Sequence, residues 1–149
     1  MNVPQLEAKL AELRALPKET EWVEFKHNNT DPQEIGEYLS ALSNTAALHG
    51  HPHGYIVWGI KDGTHTIMGT TFQPHQTKGA GNEDLEPWLA RLLSPRVNFE
   101  IYEFQSDSKP LVMFRVQAAS STPVAFRGER FIRVGSYKKP LRDYPEKVR

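Results

Sequence analysis

The segment that most constrains the fold is the run Gly-Tyr-Ile-Val-Trp-Gly-Ile at residues 54–60. It contains no charged or amide side chain, and it has the length of a strand rather than of a helix. A strand exposed on one face would alternate apolar and polar residues. This run does not alternate, so it predicts a central strand that is covered on both faces. Helices or other layers must then pack on each side of it.

Apolar periodicity predicts three helices around this strand. Residues 5–16 carry leucines at three- and four-residue spacing, which is typical of a short amphipathic helix, and Pro17 ends it. A longer helix is predicted to begin at Asp31-Pro32 with Glu34 completing a capping box, and to end at Gly50. A third helix is predicted from Asp84 to Ser94-Pro95.

Strands account for most of the remaining chain. Alternation predicts a strand over residues 21–26, and residues 66–68 are expected to return as the hairpin partner of the central run. Residues 70–82 are expected to be an irregular loop. The sequence therefore predicts one α+β domain with a mixed, largely antiparallel sheet, two long helices and a short N-terminal helix. The other predicted strands are 98–104, 111–117, 124–126 and 131–134, the last two joined across Arg127-Gly128-Glu129.

Composition excludes several classes of protein. No apolar run approaches the roughly 18 residues of a membrane-spanning helix. The chain has no cysteine, so neither a disulfide framework nor a thiolate metal site is expected. Its first residues lack the pattern of a secretory signal, and a cytoplasmic location is expected.

Charge is divided unevenly although the net charge is zero. Residues 1–108 carry 8 basic and 15 acidic side chains, whereas residues 109–149 carry 10 basic and 3 acidic ones. The second part therefore predicts a basic surface for a polyanion, unless the folded chain interleaves the charges.

An ordered set of short segments resembles the Schlafen-type AlbA domain. The resemblance covers residues 17–143, which leaves residues 1–16 as a separate N-terminal helix in front of a domain at 17–149. The link from His49 to Gly54 departs from it, because the family usually has a compact glycine pair there. The segments are Glu19–Lys26, Ile35-Gly36, Ala41–Ala46, Gly54–Asp62, Gly81-Asn82, Leu93–Pro95, Pro123-Val124 and Phe131–Ser136.

The resemblance implies two functions. Members are described as DNA-binding domains of bacterial transcriptional regulators, usually followed by a further region, so the chain is expected to be either the first part of a longer regulator or a standalone member. In Schlafen proteins the same domain type forms part of a metal-dependent RNase that cuts structured RNA such as transfer RNA. The positions of Glu19, Glu24 and Asp62 match those of the catalytic acids in the nuclease-active members.

The first candidate site consists of those three carboxylates and Lys26. Alternation along a strand places Glu24 and Lys26 on one face. Carboxylate oxygens hold Mg²⁺ or Mn²⁺, and a lysine stabilises the negative charge that develops during phosphodiester cleavage. Alternatively, Glu24 and Lys26 form an exposed ion pair and Asp62 serves the turn before Gly63.

The second candidate site is basic. Side chains near the C-terminal end could hold the phosphates of DNA or RNA, with Ser136 as a hydroxyl donor beside Gly135 and Tyr137 stacking on an unpaired base. Alternatively, these residues form a solvated basic face. The candidates are Arg115, Arg127, Arg130, Arg133, Ser136, Lys138, Lys139 and Arg142.

A third candidate is the set His49, His51 and His53, whose imidazoles could ligate Zn²⁺ or Ni²⁺ or could remain solvated in a loop. Three functions follow from these candidates. The leading hypothesis is a nucleic-acid-binding domain that has no membrane partner and can form a homodimer. The alternatives are a Mg²⁺- or Mn²⁺-dependent endoribonuclease and a protein-interaction module; no cofactor is expected outside the nuclease.

Overall fold

The computed structural model describes residues 1–18 and 20–147. The first helix begins two residues earlier than its leucine spacing predicts. Asn2 accepts a hydrogen bond from the N–H of Gln5, whose side chain accepts one in return from the N–H of Asn2, so this capping box sets the start. The described helices are α1 (Val3–Arg14), α2 (Pro32–Leu48) and α3 (Leu85–Leu92).

Helix α2 ends as predicted but begins differently. Gly50 has a φ of 71°, and the N–H of His51 donates to the carbonyl of Ala46 at 2.9 Å, which closes a Schellman turn. At the other end, the side chain of Asp31 makes no capping hydrogen bond. The predicted capping box is wrong, because Glu34 instead lies 3.6 Å from Lys26.

The predicted central strand is the core of a four-stranded mixed sheet, the first sheet. Its strand order is β1-β2-β5-β4, with β1 parallel to β2 and the other pairs antiparallel. Val57 and Trp58 of the central strand have no exposed surface. One face packs against α2 and α3 and the other against α1, so coverage on both sides is confirmed. The strands are β1 (Val23–Lys26), β2 (His53–Trp58), β4 (Phe99–Ser106) and β5 (Lys109–Gln117).

The remaining strands form a second, antiparallel sheet with the order β3-β6-β7-β8. The α+β class and the largely antiparallel pairing are confirmed, but the strands are divided between two sheets. Helix α2 contacts both, since the side chain of Asn44 donates to the carbonyl of Phe131 in β7 and the hydroxyl of Thr45 accepts from the N–H of Arg133. The strands are β3 (Leu93–Ser94), β6 (Ala125–Phe126), β7 (Glu129–Val134) and β8 (Tyr137–Pro140).

Two predicted hairpins appear in shortened form. Ile60 and Ile67 make a single antiparallel bridge after β2. Between β6 and β7 the turn has two residues, Arg127 and Gly128, both with positive φ, so Glu129 belongs to the strand. In residues 1–18 and 20–147, no helix is both long and apolar enough to cross a membrane.

Candidate carboxylate pocket and nucleic-acid interface

Strand β1 places two of the predicted catalytic side chains on the face that α2 covers. Val23 and Phe25 are buried on the opposite face, so Glu24 and Lys26 alternate towards α2. Glu24 lies between two cations: its Oε1 is 3.1 Å from Nη2 of Arg133, and its Oε2 is 3.5 Å from Nζ of Lys26. The predicted same-face pair is therefore present, and a third charge from the second sheet joins it.

Asp62 lies in the turn after β2 and opens onto the same pocket as Glu24. This space, the carboxylate pocket, is lined by Glu24, Lys26, His27, Lys61 and Asp62 together with Phe25 and Met68. Glu19, the third predicted carboxylate, lies outside the described residues. Among the residues that the structure describes, no three histidine or carboxylate side chains are arranged to hold a metal ion.

The donor chemistry of the carboxylate pocket nevertheless fits a hard cation in part, since Glu24 and Asp62 both present carboxylate oxygens. Metal binding requires the ionised form of each. Burial raises the pKa of Glu24 above its ordinary value, although Arg133 and Lys26 act to lower it. A cation would also have to share Glu24 with those two positive side chains.

Arg133 occupies a different place from the one predicted. Its side chain is only 3% exposed. Its guanidinium donates to the carbonyls of Val23 and Thr20 and pairs with Glu24, while its Nε has no partner among the described residues. The predicted phosphate contact is therefore wrong for Arg133, because a buried guanidinium held by β1 cannot meet a ligand at the surface. Arg133 instead joins the two sheets.

Three other predicted cations lie on different parts of the molecule, each beside a glutamate. Arg115 lies on the first sheet, 2.8 Å from Glu100. Lys138 is 2.6 Å from Glu37 of α2. Arg142, in the short 3-10 helix after the last strand of the second sheet, pairs with Glu129 at the start of β7. The fold thus interleaves many of the charges that the sequence separates, and the predicted residues do not form one continuous strip.

The remaining cations lie at exposed positions on one side of the second sheet, a side that also carries the buried Ile132. Register pairs Val134 with Tyr137 and Ile132 with Lys139, so alternation points Arg130, Tyr137 and Lys139 to the same side, here named the outer face. Within residues 1–18 and 20–147, no acidic side chain lies within 4.0 Å of Arg130 or Lys139. Both are exposed.

An open trough adjoins Arg130 on this side. Ser94 and Thr122 contribute hydroxyl groups to it, and Arg142 contributes a second guanidinium. Sequence reasoning missed both hydroxyls, because the pairing of Ser94 with Ala125, and of Ala125 with Arg130, is a register that no local pattern reveals. Ser136 is exposed in the turn between β7 and β8, whereas Arg127 donates to Oε1 of Gln33 at 3.2 Å.

The three loop histidines do not converge. Nε2 of His49 lies 2.9 Å from Oε1 of Glu21, and His51 stacks on Trp22 with the ring centroids 3.9 Å apart. His53 lies at the start of β2, where burial lowers its pKa and nearby Arg115 lowers it further. The histidine metal site remains a prediction without support from the geometry of the described residues.

Comparison with known proteins agrees with the resemblance seen in the sequence. A family model described as Schlafen, AlbA_2 matches residues 19–142, which is most of the chain. The chain belongs to the Schlafen AlbA_2 family. Membership indicates a nucleic-acid-related domain, and the predicted Schlafen-type AlbA recognition is confirmed.

Two solved structures share the fold of this Schlafen AlbA_2 chain. The DIP2311 protein of Corynebacterium diphtheriae aligns with a TM-score of 0.56 at 19% identity over 93% of this chain, which spans 26% of that protein. The N-terminal domain of a protein described as related to the ATP-dependent DNA helicase RecG, from Nitrosomonas europaea, aligns with a TM-score of 0.50 at 23% identity, covering 86% of this chain and 87% of that one. No curated protein matches.

Proposed function

We propose that this chain is a nucleic-acid-binding domain that contacts phosphate groups through the outer face of the second sheet. The observation that carries the proposal is that Arg130 and Lys139 are exposed and have no acidic partner in the part of the chain that the structure describes. The other predicted cations discussed above each pair with a glutamate, namely Arg115, Arg133, Lys138 and Arg142. Family membership and the likeness to the domain of the helicase-related protein support it. In a longer chain, the domain would be the DNA-contacting part of a bacterial transcriptional regulator.

Contacts to phosphates rather than to bases would supply most of the affinity. Arg130, Lys139 and the partly engaged Arg142 offer about three phosphate contacts, and the hydroxyls of Ser94 and Thr122 can donate to phosphate oxygens. Release of counterions from three phosphates gives a slope of about −2 to −3 for the logarithm of the affinity against that of the salt concentration. Binding should therefore vary little with sequence and weaken steeply with salt.

Fluorescence anisotropy with labelled DNA and RNA, repeated at rising salt, tests this proposal. The double variant Arg130→Glu/Lys139→Glu should weaken binding to all sequences similarly and flatten the salt dependence by about two units. Lys109→Glu makes the same kind of charge reversal at an exposed position on the first sheet and should bind as the wild type does. Equal losses in both variants would mean that net charge, not the outer face, determines binding. Absence of binding to any nucleic acid would favour a protein-interaction module.

The second candidate function is a divalent-metal endoribonuclease acting on structured RNA such as transfer RNA. The observation that favours it is that Glu24, Asp62 and Lys26 line one pocket. Mg²⁺ or Mn²⁺ would be held by Glu24 and Asp62, with Glu19 as the third predicted ligand, and when bound would activate water and offset phosphate charge. Lys26 would stabilise charge that develops on the phosphate.

Cleavage is tested by incubating transfer RNA with the protein and Mn²⁺, followed by denaturing gels. Asp62→Asn is the sharper variant because Asp62 is exposed, so its loss should not disturb folding. Glu24→Gln is its counterpart at a largely buried position, where 11% of the side chain is exposed. Metal-dependent fragments that disappear in both variants would establish the nuclease. Intact RNA with the wild type, or fragments that persist in Asp62→Asn, would argue against it.

A further inference from the structure

Tyr137 is exposed in a way that packing does not explain. Its side chain is 68% exposed, whereas the other large apolar side chains of comparable exposure in the described residues are the aliphatic Val3 and Met68. Tyr137 belongs to neither hydrophobic cluster. An aromatic ring held in water is a ready contact surface for a planar apolar ligand.

The surroundings of the ring indicate which kind of ligand. Tyr137 begins β8 directly after the turn at Gly135, so its backbone is fixed by the pairing with Val134. Nζ of Lys139 lies 5.5 Å from the ring centroid. Lys139 follows two residues later on the same side, about 7 Å away at the α-carbons. A fixed strand therefore presents an exposed aromatic ring with a cation over one of its faces.

We propose that the outer face takes unpaired polynucleotide, with a base stacked on the Tyr137 ring and the adjoining phosphate at Lys139. This inference rests on the proposed function and names its ligand class. Stacking on an aromatic ring beside a backbone-tracking cation is how unpaired nucleic acid is held without sequence preference. In a duplex both faces of each base are already stacked, so the ring could engage a base only after the duplex had been opened.

The arrangement also orders the ligand along the sheet. Arg130 lies on β7 four residues before Val134, the partner of Tyr137, and the trough lined by Ser94 and Thr122 lies beyond it. A strand that stacks one base on Tyr137 can extend its backbone past Lys139 towards Arg130. Deoxyribose and ribose chains share this chemistry, so both are candidate ligands.

The test compares oligonucleotides of about 12 nucleotides as single-stranded DNA, single-stranded RNA and the matching duplexes, each carrying 2-aminopurine to report stacking. The wild type should bind the single strands more tightly than the duplexes and quench 2-aminopurine fluorescence. Tyr137→Ala should weaken single-strand binding about 5- to 150-fold and abolish the quenching, with duplex binding unchanged. Tyr137→Phe, which keeps the ring, should bind as the wild type does.

Val3→Ala is the matched control, because Val3 is an exposed apolar side chain, 54% exposed, at the start of α1 and outside both candidate sites. It should leave single-strand binding unchanged. If Tyr137→Ala binds single strands as the wild type does, or if the wild type prefers duplexes, the stacking proposal is overturned while the proposed function stands. If no form of nucleic acid binds, both are overturned together.

Discussion

The carboxylate pocket and the outer face hold their charges in opposite ways. In the carboxylate pocket Glu24 lies between Arg133 and Lys26, and Lys26 also faces Glu34 at 3.6 Å. On the outer face Arg130 and Lys139 extend into solvent with no acidic partner in the part of the chain that the structure describes. One region neutralises its own charges, and the other leaves them available.

This difference separates charges that maintain the fold from charges that can bind a ligand. A ligand that used Arg133 would have to break contacts with Glu24 and with two backbone carbonyls, and the loss of one partner from a buried pair is costly. A phosphate that meets Lys139 displaces only water and counterions. Substitutions should therefore affect stability in the first region and affinity in the second.

The largest expected effect is on stability, from Arg133→Met. The substitution preserves most of the side-chain length but leaves Glu24 buried with Lys26 alone. Loss of one partner from a buried ion pair is expected to lower the free energy of unfolding by about 3–5 kcal/mol. Urea denaturation followed by tryptophan fluorescence measures this.

Arg142→Ala is the matched control for Arg133→Met, because Arg142 also pairs with a glutamate but is exposed. Its loss should cost only about 0–1 kcal/mol. The double variant Arg133→Met/Glu24→Gln should recover part of the stability, since it removes the uncompensated charge. Equal losses of unfolding free energy in Arg133→Met and Arg142→Ala would show that the pair of Arg133 and Glu24 does not stabilise the contact between the two sheets.

A smaller effect, dependent on pH, is expected at Glu21. Its Oε2 accepts from the N–H of Gly135 at 2.6 Å, and its Oε1 lies 2.9 Å from His49. Burial acts to raise the pKa of Glu21, but these hydrogen bonds outweigh it and hold the pKa below its ordinary value of 4.5. The stability that Glu21 contributes is therefore fully present above pH 4.5 and is lost as the pH falls through the lowered value.

Glu21→Gln should consequently cost about 1–3 kcal/mol near neutral pH. The difference in the free energy of unfolding between Glu21→Gln and the wild type should narrow as the pH falls below 4.5, because the wild-type carboxyl then becomes protonated and loses its charge. Urea denaturation at a series of pH values measures the gap, and Glu7→Gln, at an exposed position of α1, serves as the control. A gap that stays constant in acid would contradict the role of the ionised form.

Local pattern was enough to predict most of the elements. The unbroken apolar run of β2 predicted its coverage, and Gly50 predicted the end of α2, because each depends only on neighbouring residues. Strand β8 was missed, since Tyr-Lys-Lys-Pro is short and has no apolar alternation. The division into two sheets was also missed, because sheet membership depends on pairings between segments far apart in the chain.

The candidate sites were predicted less completely for the same reason. Alternation placed Glu24 and Lys26 on one face correctly, and the shared pocket with Asp62 agrees with the resemblance. The burial of Arg133 was not predictable, because the sequence around it shows an arginine in a strand but not the glutamate of another strand that receives it. Which cations are paired with acids and which are exposed could therefore be seen only in the folded structure.

The smallest effects come from two lysines that differ only in surroundings. Lys26 lies over the Tyr38 ring, 4.7 Å from its centroid, and between Glu24 and Glu34. Lys139 lies over the exposed Tyr137 ring at 5.5 Å and has no acidic partner in the described part of the chain. Lys26→Met should lower the free energy of unfolding by about 1 kcal/mol, through loss of the cation–π contact and the ion pairs. Lys139→Met loses only a cation–π contact to an exposed ring, so it should lower the free energy of unfolding by no more than about 0.5 kcal/mol, but it should flatten the salt dependence of nucleic-acid binding by about one unit.

Denaturation and salt titration on the same two proteins decide between the roles. If Lys26 serves stability and Lys139 serves binding, Lys26→Met lowers the free energy of unfolding without changing the salt dependence of binding. Lys139→Met then flattens the salt dependence with little change in stability. If Lys26→Met flattens the salt dependence as well, a phosphate reaches the carboxylate pocket, and binding cannot be confined to the outer face. That result would move the nuclease ahead of the binding domain, because a phosphate beside Glu24 and Asp62 lies where cleavage would need it.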